Sequence, residues 1–182
     1  MRKLKHHEEK LLRKVDLYSW KGQNVRESTI LQKYFIQKRE DYTKYNKIAG
    51  SVTKLVAKLK TLPQSNAIRF ELSEDLLNRL YNMGIVNSTS SLSAIEKLTA
   101  SAFCRRRLPV VMVRLKMSET LKAATTLIEQ GHVRVGPNVI TDPAFLVTRT
   151  FEDYVTWVDS SKIKRNIMKF NNKLDDYDLL EN

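Results

Sequence analysis

The sequence predicts an α+β fold in which an N-terminal helical region is followed by a small helix–helix–β-hairpin domain with additional strands. Two observations carry this prediction. Apolar residues recur at helical spacing from the N-terminus up to Gly131. Beyond it, residues 132–135 alternate polar and apolar side chains, and the later segment 154–158 is rich in β-branched and aromatic residues. We therefore expect a basic helical region over 1–103, the small domain over 104–168, and an acidic, flexible tail over 169–182.

Three apolar patterns near the 3.6-residue period predict helices in the first part of the chain. The first covers residues 11–20 and is interrupted around Gly22. The second covers residues 30–48, and the third covers residues 52–62 and ends at Pro63. Lysines and arginines fill the other faces of these helices. These faces are either a solvated surface or, in part, lie along an RNA or on a ribonucleoprotein surface.

The middle of the chain, residues 64–103, predicts one long helix and a shorter approach to the small domain. An apolar stripe over residues 72–81 ends at Gly84, which is placed as a C-terminal cap. A serine-rich loop follows over residues 88–93, and residues 95–102 then begin a new helical or extended segment.

The small domain begins with two short helices. Pro109 lies near the start of the first helix, where its missing N–H costs little. Ser118 is the expected N-cap of the second helix, with Glu119 in its first turn, and Gly131 ends that helix. The apolar residues at helical spacing predict two buried faces: Leu108, Val111, Met112 and Leu115, then Leu121, Ala124, Leu127 and Ile128.

A hairpin follows the second helix. Residues 132–135 alternate polar and apolar side chains, residues 136–138 form a turn, and residues 139–140 form a short returning strand. Residues 145–147 and 154–158 supply further strand-like segments.

The net charge of +12 is unevenly distributed along the chain. Residues 1–60 carry +10 and residues 105–148 carry +4, whereas residues 61–104 and 149–182 each carry −1. Such an excess predicts attraction to a nucleic acid, an anionic membrane surface or an acidic protein. No apolar run approaches the roughly 18 residues that span a bilayer, and the start of the sequence lacks the apolar centre of a signal peptide.

Catalysis and metal binding find little support in the sequence. The single cysteine, Cys104, excludes an internal disulfide and a cysteine-based zinc site, and it predicts an intracellular, reducing environment. We expect Cys104 to be a small buried residue rather than a nucleophile. His6 and His7 have no ligand partner at metal-binding spacing, and no phosphate-binding loop or nucleophile motif is present. We therefore expect no enzymatic activity, no cofactor, no metal and no small-molecule substrate.

The small domain resembles the RNA-binding domain of the small-subunit ribosomal protein four family, also called the alpha-L motif. The resemblance rests on Arg-Arg-Leu at 106–108, Arg-Leu at 114–115, and the ordered run Ile-Glu-Gln-Gly-His-Val-Arg-Val-Gly-Pro-Asn-Val-Ile at 128–140. It implies that this domain binds structured RNA. Because A-form RNA exposes phosphates and 2′-hydroxyls rather than base edges, arginine forks are well suited to hold it.

The chain as a whole resembles the Imp-type proteins of the U3 small nucleolar ribonucleoprotein. This resemblance rests on residues 1–8, 39–42, 104–110 and 152–159. It implies a nucleolar protein of the small-subunit processome, with other processome proteins as partners and no membrane. It further implies binding to U3 small nucleolar RNA and promotion of its pairing with pre-ribosomal RNA, for early 18S processing and small-subunit assembly.

The expected RNA contacts come from the helix starts and the hairpin edge of the small domain, where we expect the cations to converge on one face. His132 either contacts RNA or is a satisfied polar residue, and Asn138 either contacts RNA or is the turn residue. The candidate residues are Arg105, Arg106, Arg107, Arg114, Lys116, Lys122, His132, Arg134 and Asn138.

Two other functions are compatible with the same residues. In the first alternative the chain is a structural ribosomal protein that stays in the mature subunit. In the second it is a basic scaffold whose N-terminal helices bind a protein partner. An assembly factor leaves with precursor particles, whereas a ribosomal protein persists in mature subunits.

Overall fold

The computed structural model describes residues 2–14, 25–63 and 65–173. Within these ranges the helices and strands confirm the predicted α+β class. The helices are α1 (His6–Lys14), α2 (Val25–Lys33), α3 (Arg39–Thr61), α4 (Ala67–Asn82), α5 (Ser93–Glu96), α6 (Ala100–Cys104), α7 (Leu108–Arg114), α8 (Leu121–Glu129), α9 (Arg149–Glu152) and α10 (Lys162–Phe170). The strands are β1 (Val133–Val135), β2 (Asn138–Val139) and β3 (Val155–Trp157).

The N-terminal helices differ from the prediction in where they break. The pattern over residues 30–48 is not one helix, because the chain turns between α2 and α3. Phe35 adopts a positive φ of 48° there, and Tyr34 and Ile36 turn into the core. The part of the second pattern that follows this turn is joined to the third pattern in one 23-residue helix, α3. Of the pattern over 11–20, residues 15–20 lie outside the described residues.

The helix of the middle region ends as predicted. The main chain leaves α4 through Gly84, which adopts a positive φ of 72°, and the Ile85 N–H donates to the Leu80 carbonyl at 3.0 Å. Leu77 and Leu80 are buried, whereas the predicted stripe member Leu72 is 46% exposed. The C-terminal tail is described as far as residue 173, and α10 extends across its predicted boundary at residue 169.

The two helices of the small domain form as predicted, but the N-cap of α8 was predicted wrongly. Lys116 takes a positive φ of 58°, and the Met117 N–H closes α7 on the Met112 carbonyl at 3.0 Å. Ser118 and Glu119 therefore lie before the N-cap of α8, and Thr120 rather than Ser118 accepts the capping hydrogen bond. The early end of α7 also leaves Leu115 39% exposed, outside the predicted buried face.

The three strands form an antiparallel sheet in the order β2–β1–β3. Arg134 pairs with Val139 on one side and with Thr156 on the other. The hairpin turn is shorter than predicted, because Asn138 already pairs with Val135. Gly136 supplies the positive φ of 60° that begins the turn.

The N-terminal helices pack directly against the small domain. The Tyr45 ring of α3 stacks on Phe103 of α6 with ring centroids 6.0 Å apart. The Tyr45 hydroxyl donates to the Ala144 carbonyl at 3.2 Å. Cys104 lies in the same core, fully buried as predicted, and burial raises the pKa of its thiol to about 11.

Candidate nucleic-acid interface

Arg106, in the link between α6 and α7, holds three segments of the protein together. Its Nε donates to the Val147 carbonyl at 2.8 Å, and its Nη1 pairs with Glu152 Oε2 at 2.9 Å. The guanidinium also lies against Gly84, where an added Cβ would sit 2.7 Å from its Cζ. Because only 7% of its side chain is exposed, Arg106 contacts other parts of the same chain and does not face a phosphate at the surface.

Arg107 is also directed into the protein, toward a different neighbour. Its side chain is 3% exposed, and its Nη1 lies 3.5 Å from Asp41 Oδ2 at the start of α3. The backbone at this point bridges to Leu146. Arg107 therefore joins the small domain to the N-terminal helices.

Arg114, at the end of α7, is half exposed and pairs with Glu152. The same carboxylate thus holds buried Arg106 and exposed Arg114. Glu152 orients the Arg114 guanidinium at the surface while leaving part of it open to solvent. A planar, oriented fork of this kind is suited to holding phosphate oxygens.

The β1 candidates form a separate group. Arg134 donates from Nε to Thr156 Oγ1 at 3.1 Å and pairs with Asp159. The hydrogen bond from Lys164 lowers the pKa of the Asp159 carboxyl, and Arg134 adds to this effect. His132 Nδ1 lies 3.0 Å from the Ser161 hydroxyl, which gives the ring a polar partner within the protein, and its contact with RNA stays a prediction.

The remaining candidates are open to solvent. Arg105, Lys116, Lys122 and Asn138 are exposed. In the described part of the chain, the three cations among them make no ion pair or side-chain hydrogen bond. The predicted single cluster is thus divided among α7 with its flanks, the contact with α3, and the sheet edge.

A row of lysines on α3 forms a candidate site that was not among the residues predicted from the sequence. Tyr45, Ala49, Val56 and Leu59 are the buried residues of this helix, and the row lies on the opposite face at 3.6-residue spacing. After Asp41, α3 contains no carboxylate, and this absence is the signal that identifies the row in the sequence. We call these residues the α3 lysine row: Lys44, Lys47, Lys54 and Lys58.

Metal-binding clusters and membrane-spanning helices are absent from the residues that the structure describes. Over residues 2–14, 25–63 and 65–173, no group of three or more His, Cys, Asp or Glu side chains is arranged to hold a metal ion. The helices of those ranges include none with the length and hydropathy of a membrane span.

Comparison with known families divides the chain in two. The Ribosomal protein S4/S9 N-terminal domain family matches residues 3–105, and the S4 domain family matches residues 106–152. The boundary falls at the link that carries Arg105 and Arg106.

Individual relatives match over nearly the whole length. The U3 small nucleolar ribonucleoprotein protein IMP3 of Saccharomyces cerevisiae is 54% identical over 98% of both chains. The human protein of the same name is 51% identical, also over 98% of both. The small ribosomal subunit protein uS4 of Metallosphaera sedula is 28% identical over 81% of this chain and 82% of its own.

Proposed function

Since this chain belongs to the family of the U3 small nucleolar ribonucleoprotein protein IMP3, we propose that it is an RNA-binding component of that particle. It binds U3 small nucleolar RNA and promotes its pairing with pre-ribosomal RNA, in early 18S processing and small-subunit assembly. The similarity across 98% of the chain carries this proposal. The nucleolus is the expected location, other processome proteins are the expected partners, and the role is not enzymatic.

The exposed cations around α7 and α8 form the primary RNA surface in this proposal. The cations that are accessible to phosphates are Arg105, Arg114, Lys116 and Lys122. Arg134 adds a contact from the sheet edge when its guanidinium leaves Asp159 and pairs with an RNA phosphate instead. Arg106 and Arg107 support this surface from inside. His132 orients the start of β1 through Ser161, and exposed Asn138 of the hairpin is a further contact.

The α3 lysine row provides a second surface. Its residues span fourteen positions of a helix, which corresponds to about 20 Å at 1.5 Å per residue. Like charges at i, i+3 and i, i+4 spacing destabilise a helix, whereas a merely solvated face usually alternates its charges. Two basic surfaces on one protein reduce the repulsion between two RNA strands, which favours their pairing.

A matched pair of variants tests this function. Lys116→Glu/Lys122→Glu changes the small-domain surface, and Lys60→Glu/Arg79→Glu makes the same change in net charge at cations already paired with carboxylates. We expect the first variant to bind U3 RNA at least tenfold more weakly than the second in a fluorescence-anisotropy titration. Equal losses would show that only net charge matters and would contradict a specific surface.

The affinity itself is expected to fall steeply with salt, because each neutralised phosphate releases counterions. The protein should raise the rate at which U3 pairs with its pre-ribosomal target, and this acceleration over the protein-free rate should fall over the same salt range. An affinity that is constant between 50 and 200 mM salt (the range over which phosphate contacts are usually resolved) would contradict the electrostatic mode.

The ribosomal-protein alternative is supported by the more distant similarity to uS4 proteins. Sedimentation of a tagged chain separates the two functions. Recovery with precursor particles supports the assembly factor, and recovery in mature subunits supports the ribosomal protein.

A further inference from the structure

A hollow of about 370 Å³ is lined by residues from the range 85–105, among them Arg105 of the primary RNA surface. Apolar side chains line part of it, among them Ile85, Leu98 and Ala102. Its other lining residues include Lys97 and Arg105, both exposed. This volume falls within the range of small-ligand sites, which combine apolar walls with a few polar groups.

The charge of this hollow is suited to a phosphate. Lys97 and Arg105 are its charged residues, and no carboxylate lines it. A second hollow, of about 280 Å³, has mixed charge: its charged lining residues are Lys38, Asp41, Arg107, Glu129 and Asp142. The charged residues of the first hollow are all cations, so it attracts an anion more strongly than the mixed charges of the second do.

One wall of the hollow is fixed by the fold. Arg149 lies over the Tyr81 ring, with its Cζ 4.2 Å from the centroid. Its Nη2 donates to the Val86 carbonyl at 2.8 Å, and Val86 is buried. The segment that begins at Ile85 is thereby held in place before any ligand arrives, which lowers the entropic cost of binding.

We propose that this hollow takes one unpaired nucleotide of the bound RNA. The base lies against Ile85, Leu98 and Ala102, and the adjoining phosphate contacts Lys97 and Arg105. This inference rests on the proposed RNA-binding function and adds a preference to it. Recognition of RNA by proteins commonly uses bases splayed out of bulges and loops, because paired bases are hidden within the helix.

The test compares two RNA hairpins that are identical except for a single bulged nucleotide. The full-length wild-type chain is expected to bind the bulged hairpin about tenfold more tightly, within the range for burial of one base. Ala102→Leu fills the hollow without changing the charge, and Lys97→Ala removes the phosphate contact. Both variants should lose most of this preference, while the control Lys116→Ala weakens binding to both hairpins equally.

The outcomes separate this inference from the function on which it rests. If the wild-type chain binds both hairpins with equal affinity, the hollow is not a nucleotide site, although RNA binding stands. Retention of the preference in Ala102→Leu and Lys97→Ala, with native circular dichroism, overturns the inference in the same way. If the wild-type chain binds neither hairpin, both proposals are wrong.

Discussion

Arg106→Ala is expected to act on stability first, because this arginine is a buried structural residue. The substitution removes the hydrogen bond to the Val147 carbonyl and the ion pair with Glu152. It also removes the guanidinium that packs against Gly84. Three segments that lie far apart in the sequence lose their common contact.

The size of the effect follows from these contacts. Removing one partner of a buried ion pair costs about 3–5 kcal/mol. Arg106 Nη2 has no hydrogen-bond partner among the residues that the structure describes, and Glu152 retains Arg114, so the low end of that range applies. A loss of about 3 kcal/mol is a large part of the 5–15 kcal/mol that stabilises a typical domain.

Urea unfolding followed by circular dichroism measures this loss as a lower midpoint with an unchanged slope. Arg105→Ala is the matched control, since it removes the neighbouring, exposed arginine. We expect the control to unfold within about 0.5 kcal/mol of the wild-type protein. The control should instead weaken RNA binding, while folded Arg106→Ala should retain it.

The opposite pattern would refute this reasoning. If Arg106→Ala has wild-type stability and greatly reduced RNA affinity, Arg106 is a phosphate ligand and its buried contacts in the structure are exchanged for RNA. The sequence alone had placed Arg106 in that role.

Three further predictions concern the backbone and the core. Gly84→Ala should lower the free energy of unfolding by about 2 kcal/mol, because alanine is strained in the left-handed region and its Cβ would lie 2.7 Å from Arg106 Cζ. At Gly50 an added Cβ has nothing within 4 Å. Gly50→Ala should therefore raise the melting temperature slightly, since alanine favours a helix over glycine by about 0.5–1 kcal/mol. Thr120→Ala should cost about 1 kcal/mol in urea unfolding through loss of the α8 cap, and an unchanged midpoint would contradict the assigned cap. Cys104 should react with iodoacetamide at pH 8 at least roughly a hundredfold more slowly in the folded than in the unfolded chain, because burial raises its thiol pKa from 9.0 to about 11; equal rates would contradict its burial.

The sequence predicted the elements that depend on local patterns. The end of α4 at Gly84 and the end of α8 at Gly131 followed from the position of each glycine after an apolar stripe, and both residues have a positive φ. Ser118 was the wrong cap because the left-handed turn at Lys116 delays α8. Nothing in the residue types around Lys116 indicates that turn.

The surroundings of the arginines were beyond local patterns. Arg106 meets Glu152 46 positions later in the chain, and Arg107 meets Asp41 66 positions earlier. Only the folded chain brings these carboxylates near, so a run of three arginines looked like a single phosphate-binding group. Arg105, the first of the three, is exposed. Adjacent arginines in this link therefore have opposite environments, one at the surface and the next one buried.

The most direct test of the central proposal is crosslinking of the tagged chain to RNA in cells, followed by sequencing of the recovered RNA. We predict that U3 small nucleolar RNA and its pre-ribosomal pairing partner dominate the crosslinks. The Lys116→Glu/Lys122→Glu variant should lose them, whereas the matched Lys60→Glu/Arg79→Glu variant retains them. Recovery of mature ribosomal RNA without U3, or no RNA above background, would contradict the proposed function.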